Sequence, residues 1–329
     1  MVGGTANNQA GGFIGGRGEF IANGGWTNQG VMAFSAGTAD ILGDVVNDTG
    51  GQIVTSGGAT TTIFDDVEHN GDEIRTSSDS RTVIFGQASG AGPYTGDGTV
   101  YFEGDLRPGN SPSTVSFDGA IVLSTTSTTQ IELGGLTAGA QYDQLDVAGT
   151  VDLDGTLQLA PLASYTDPAT RGTADDFTII TSGDRSGTFS TVQYDGSTLA
   201  PDFETDGGGS FRDHVAGGLF RSVTYTSTAV SVQNLLASEG DTDGDRDVDT
   251  LDLTGMIINY TGATGSGTTW LTGDTDGDGD TDTVDLTTAI INFTGASNTA
   301  AAVPEPSGLL LLVLAVGCLT VARVRSCHR

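Results

Sequence analysis

Through residue 236 the apolar side chains come in short alternating or near-continuous runs, and no stretch keeps a helical spacing of any length. Residues 30–35 (GVMAFS), 40–46 (DILGDVV), 52–55 (QIVT), 60–64 (TTTIF) and 82–85 (TVIF) are such runs, as are 99–103, 114–117, 120–123 and 130–133. They recur at first about every 8–12 residues between turns of Gly, Asn and Asp, the pattern of an all-β chain. A sandwich and a parallel β-solenoid both fit that spacing. A solenoid buries one or two small apolar side chains per strand and obtains its core by stacking turn on turn. That suits a Thr- and Asn-rich chain with 36% apolar and 7% aromatic residues, and it predicts a mainly β protein with a parallel β-solenoid (β-helix) body. Residues 224–232 are expected to form its last strand.

After residue 240 the pattern changes. Asp241, Asp243, Asp245, Asp247, Asp249 and Asp252 fall in one twelve-residue loop. Asp274, Asp276, Asp278, Asp280, Asp282 and Asp285 fall in a second, 33 residues on. Both place carboxylates at loop positions 1, 3, 5, 9 and 12, the ligand positions of a Ca²⁺ loop. A hard ion takes six to eight oxygens, and one short loop supplies them if alternate side chains turn inward, position 7 adds its carbonyl and position 12 swings back bidentate. Each loop is followed by helical spacing: Leu253, Met256, Ile257 and Tyr260, then Leu286, Ala289, Ile290 and Phe293. The segments DLTGMIINYTGA and DLTTAIINFTGA nearly coincide. This internal duplication gives each copy an apolar helix face for the other to bury. A solvated acidic linker is the competing reading, but a linker has no reason to repeat both ligand spacing and helix face. Two calcium ions are expected. Without them the carboxylates repel one another, and the region should be loose or unfolded.

The chain ends in an uncharged apolar run, 308–322, followed by Arg323, Arg325 and Arg329. As a helix the run spans about 22 Å, short of a bilayer's hydrocarbon core of about 30 Å. The arginines would stay cytoplasmic, leaving the body on the far side of the inner membrane. Both cysteines, Cys318 and Cys327, lie here, so the body can hold no disulfide framework and no four-cysteine zinc site. All twelve cationic side chains are Arg. The net charge of -30 excludes nucleic acid as a partner and favours cations.

Three resemblances follow from these residues. Pro304-Glu305-Pro306, the short apolar run and the Arg-rich tail resemble the PEP-CTERM sorting signal of Gram-negative bacteria. That implies an exosortase-type partner, transient inner-membrane insertion through 308–322, and a mature protein without that span. Residues 1–12 have neither a basic nor an apolar signal region, so the true N-terminus is expected upstream. A loop with one exiting helix, in tandem over 237–300, resembles a type I dockerin. In that family loop positions 10 and 11 face a cohesin, which here are Thr250, Leu251, Thr283 and Val284. Three departures from the pattern stand: Arg246 at position 6, where Gly is usual; polar Thr281 at position 8, opposite Val248; and apolar residues at position 11. The third likeness runs over about residues 80–236. The step L-R-P-G-N-S-P at 106–112 and the strand pairs after it resemble autotransporter-like passenger β-helices, ending in a cap.

No nucleophile elbow, zinc-protease motif or phosphate loop is present. The pairs Asp65-Asp66 and Asp175-Asp176 are expected on solvated surface, and His69 and His214 in exposed loops. The domains expected are 1–107, solenoid repeats; 108–236, the autotransporter-like region with its cap; 237–300, the dockerin-like calcium pair; and 301–329, the sorting signal with a short membrane helix. The function expected is an exported cell-surface or extracellular structural or adhesive protein, not an enzyme. One alternative is a β-helix polysaccharide lyase or hydrolase carrying a dockerin. The other is an assembly module docking to a cohesin-like protein. A surface polysaccharide is a further partner considered.

Overall fold

The computed structural model describes residues 4–109, 111–202 and 210–295. They fall into two compact units, one ending at Ala237 and the other beginning at Ser238. The first is mainly β with parallel-strand sheets; the second carries two short helices.

In the first unit, alternation in sequence becomes alternation in burial. Val31–Ser35, Gln52–Ser56 and Thr60–Ile63 each bury every second side chain, because successive residues of a strand face opposite ways. The chain lays down three short strands and then returns on top of itself. Ala6–Asn8, Trp26–Asn28, Val45–Asn47, Val67–His69, Ala88–Gly90 and Leu106–Pro108 pair in parallel in that order. The register sets Ala6, Trp26, Val45, Val67, Ala88 and Leu106 in one column, in steps of 20, 19, 22, 21 and 18 residues. Two more columns complete the interior of this solenoid-like coil. One runs Met32, Ile53, Ile74, Tyr94, Phe117, and the other Ile41, Ile63, Ile84, Phe102, Leu123; all are buried. Each such side chain removed from water contributes about 1.5–3 kcal/mol.

Polar groups also lie inside. Asn8 donates to Asn28 Oδ1 (2.7 Å), Asn28 to Asn47 Oδ1 (2.7 Å), and Asn47 Nδ2 lies 3.1 Å from His69 Nδ1. All four side chains are buried, which corrects the expectation of His69 in an exposed loop. An amide NH₂ only donates, so His69 accepts at Nδ1 and donates its Nε2–H to the Pro93 carbonyl at 2.9 Å. Burial holds its pKa below the usual imidazole value. Gly92 lies over the ring so closely that a Cβ there would collide with it. A second internal network links the hydroxyls of Thr55, Thr61, Thr76 and Thr82. The surface acids expected at the turns are structural as well. Asp65 accepts from Gly43 N at 2.7 Å and Asp66 from Gln87 N at 2.8 Å, tying neighbouring turns together.

Two expected elements differ. Residues 40–46 form parts of two strands, Thr38–Leu42 and Val45–Asn47, because Gly43 at φ +101° turns a corner between them. Residues 224–232 contribute to a hairpin rather than one strand. Leu219–Tyr225 and Ala229–Leu236 pair antiparallel about a turn closed by Thr226 N donating to Ala229 O. Ala229–Leu236 also lies antiparallel on Thr173–Gly187, whose other edge pairs in parallel with Gln144–Leu153. Parallel stacking thus gives way to an antiparallel cover at the end of the unit. Among the described residues no helix is long and apolar enough to cross a membrane. The sorting motif Pro304, Glu305, Pro306 and the expected membrane helix at 308–322 lie outside the described residues.

Candidate metal centre

In the second unit the two acidic loops lead into helices α1, Thr250–Ile258, and α2, Thr283–Ile291. The loops repeat one another in most of their bonds, with an extra one in the second from Asp276 N to Asp285 Oδ1 at 3.2 Å. Position 1 accepts from the amide of position 4: Asp241 from Gly244 at 2.7 Å, Asp274 from Gly277 at 2.8 Å. It also accepts from position 6: Asp241 from Arg246 at 3.3 Å, Asp274 from Gly279 at 3.1 Å. Positions 3 and 5 each accept from the amide two residues on. Position 9 caps the helix: Asp249 accepts from Leu251 N and Asp282 from Val284 N, both at 2.6 Å. Position 12 reaches back: Asp252 accepts from Thr242 N at 2.8 Å and Asp249 N at 2.8 Å, Asp285 from Thr275 N at 2.8 Å and Asp282 N at 2.9 Å. Arg246 takes the left-handed turn at φ +80° that Gly279 takes at +95° in the other loop, as position 6 requires.

These bonds gather the carboxylates. Ligand oxygens lie within 4.8 Å of one another in four sets: Asp241, Asp243 and Asp252; Asp247, Asp249 and Asp252; Asp274, Asp276 and Asp278; Asp280, Asp282 and Asp285. The described residues thus hold acidic clusters that could bind a metal ion. Asp247 and Asp280, at position 7, enter through their side chains, whereas a Ca²⁺ loop draws on the carbonyl there. Asp280 Oδ1 is buried and accepts no hydrogen bond. A buried carboxylate oxygen without a donor is costly unless a cation or proton answers it. Burial pushes the Asp241 carboxyl up to about 7, with Asp252, Asp243 and Asp245 adding repulsion. Asp276 and Asp280 are raised by desolvation and then by their acidic neighbours. The donor set is all carboxylate, which fits a hard cation.

The two copies lock each other. Thr294, after α2, donates its amide to Val248 O at 3.0 Å and accepts from Val248 N at its hydroxyl at 2.9 Å. Thr261, the matching residue after α1, does the same with Thr281 at 2.9 Å for both bonds. Thr281 is polar at position 8 because its hydroxyl donates to Thr272 O at 3.2 Å while the side chain stays buried. Between the copies lies a small core of Val248, Met256 and Ala289, flanked by Leu253 and Leu286. The expected helix face is therefore only half used. Ile257, Tyr260, Ile290 and Phe293 are exposed, because a nine-residue helix packed on so small a core buries little beyond one side chain per copy. Thr250, Leu251, Thr283 and Val284, expected to face a partner, open the helices; Leu251 and Val284 are 71% and 55% exposed.

Sequence reasoning missed an open cavity of about 770 Å³ in the first unit, bordered by residues scattered between Pro161 and Arg221. His214, expected in a loop, lies on the strand Ser210–Ala216 at its wall. Only the acidity of the stretch and its Tyr residues were visible beforehand. No protein-family model matches the chain, and no curated protein matches it.

Proposed function

We propose that this is an exported cell-surface or extracellular protein with a parallel β-solenoid body of structural or adhesive role, joined to a dockerin-like module that folds around two calcium ions. In this reading the PEP-CTERM-like end is handled by an exosortase-type enzyme after transient insertion of 308–322. The observation that carries the calcium assignment is the repetition of the loops: the carboxylates at positions 1, 3, 5, 9 and 12 make the same bonds at a 33-residue offset. The unanswered Asp280 Oδ1 supports a cation in the second loop. When bound, calcium would supply positive charge and oxygen coordination, and the twelve Asp of the two loops would hold it.

A second reading is favoured by one observation. The small unit exposes Leu251, Ile257 and Ile258 in one copy and Val284, Ile290 and Ile291 in the other, a duplicated apolar surface on a very acidic chain. Such a surface suits a cohesin-like protein partner. Calorimetric titration of calcium into the chelator-stripped full chain, followed by circular dichroism, tests the first reading. Two sites with a gain of helix support it. No heat and no spectral change would reduce the loops to an acidic linker.

A further inference from the structure

Tyr165, Tyr194, Arg221 and Asp167, which line the cavity of the first unit, belong to one polar chain that continues to Asn234 and Asp175. Asp175 Oδ2 accepts from Tyr165 at 3.0 Å. Asn234, fully buried, donates to Tyr165 OH at 2.7 Å and to Tyr194 OH at 3.0 Å. The Arg221 guanidinium lies 3.6 Å over the Tyr194 ring and bonds Asp167 Oδ2 at 2.9 Å. This chain fixes the side chains before any ligand arrives, and ready-made geometry spares a ligand the cost of ordering them.

Asn234 Oδ1, outside the lining, is unpaired; among the residues that line the cavity, three buried atoms also remain without a partner: Arg221 Nη1, Asp167 Oδ1 and His214 Nε2. They offer a donor, an acceptor and a ring nitrogen that can be either. Leu162, Leu199 and Val215 add apolar surface beside them. Asp167, Asp195 and Asp213 against Arg221 leave the lining net negative. A phosphate or sulfate brings acceptors and negative charge against three carboxylates, and a uronate, though its hydroxyls donate, adds a carboxylate to the same three. An ammonium ligand brings only donors: it could pair with the carboxylates, but it would leave the Arg221 Nη1 donor unanswered beside a like charge. An apolar ligand would leave all three buried atoms unanswered at full desolvation cost. A hydroxyl both donates and accepts, and a sugar ring sets several hydroxyls around apolar C–H surface.

We propose that this cavity binds a neutral saccharide, one to two sugar units of a glycan chain, through Arg221, Asp167 and His214. The volume fits that size within the usual range of about 300–1,000 Å³ for small-molecule sites. The site lies wholly in the first unit, so its occupancy does not depend on calcium.

The test is saturation-transfer NMR and calorimetry on the full chain with maltotriose, cellotriose, xylotriose and chitotriose, with trigalacturonate and spermidine as charged probes. At least one neutral trisaccharide is expected to bind with a Kd on the order of 1 mM or tighter, equally with calcium or chelator. Binding by none of the four, or tighter binding of trigalacturonate or spermidine, would overturn the proposal. His214→Ala is expected to weaken the binding about tenfold. Val215→Trp, at a position 49% exposed that tolerates a larger side chain, should block the cavity and abolish it. Phe64→Ala, on the exposed stacked pair Phe64–Phe85, should leave binding unchanged. Loss in Phe64→Ala with retention in Val215→Trp would move the ligand to that aromatic pair and sink the cavity assignment. Circular dichroism of each variant separates lost binding from lost fold.

Discussion

The two units reach order by opposite means. The coil of the first stacks three columns of apolar side chains, and each turn buries the one below, so its stability grows with every turn and needs nothing from solvent. The second gathers eleven carboxylates into clusters and has a core of three buried apolar residues. Its loops are shaped by amide groups donating to those carboxylates, which leaves the charges close together. Where apolar surface is plentiful, stacking alone closes the fold; where it is scarce, the proposed cation would complete it.

The sharpest way to break this contrast is to strip the proposed calcium with a chelator. Chelation should unfold the second unit and leave the first intact. Limited proteolysis read by mass spectrometry should cut within 238–295 while the coil survives. Equal loss of both units would refute the contrast. Next in size is Phe102→Ala in the coil. Phe102 is fully buried between Ile84 and Leu123 and rests edge-on against Tyr94 and Phe117. A loss of about 3–5 kcal/mol is expected in denaturant unfolding of the coil, with calcium affinity unchanged.

A smaller effect belongs to His69. Its folded pKa lies below the ordinary 6.5, so the unfolded chain takes up the proton first. The stability tied to neutral His69 is complete above pH 6.5 and is lost as pH falls from there toward the folded value, at up to about 1.4 kcal/mol per pH unit. Protonation would set an Nδ1–H against the Asn47 amide that now donates to it. Asp143 works the other way. Burial raises its carboxyl to about 7, so its contribution favours the fold at lower pH and is lost as pH climbs from 3.8 through 7. The NMR titration of His69 isolates its part: a midpoint at or above 6.5 would refute the assignment. Smallest is Ile258→Ser on the exposed side of α1, 76% accessible. It should change stability by no more than about 0.5 kcal/mol and improve solubility. A large destabilisation would show that this surface is covered.

Legibility in the sequence tracked how far apart the cooperating residues lie. The acidic loops could be read because all six positions fall within twelve residues and then recur. The parallel coil could be read from strand length and spacing, since period-two alternation survives in each short run. Asn28 and Asn47 were hidden because an Asn between short strands looks like a turn residue. Only stacking in register shows that each amide answers the next. His69 was hidden for the same reason. The helix faces were over-read: spacing at Leu253, Met256, Ile257 and Tyr260 marks an apolar side but not how much core exists to receive it. The cavity was invisible because Asp167, Tyr194, His214, Arg221 and Asn234 meet only after the chain turns back antiparallel on itself.

The reciprocal bonds from Thr294 to Val248 and from Thr261 to Thr281 make each loop's geometry a product of the other copy's ending. In the proposed reading, filling one loop would stiffen the segment that braces the second. The two ions should therefore enter with positive cooperativity, and a chain cut between the copies, after Gly262, should hold none.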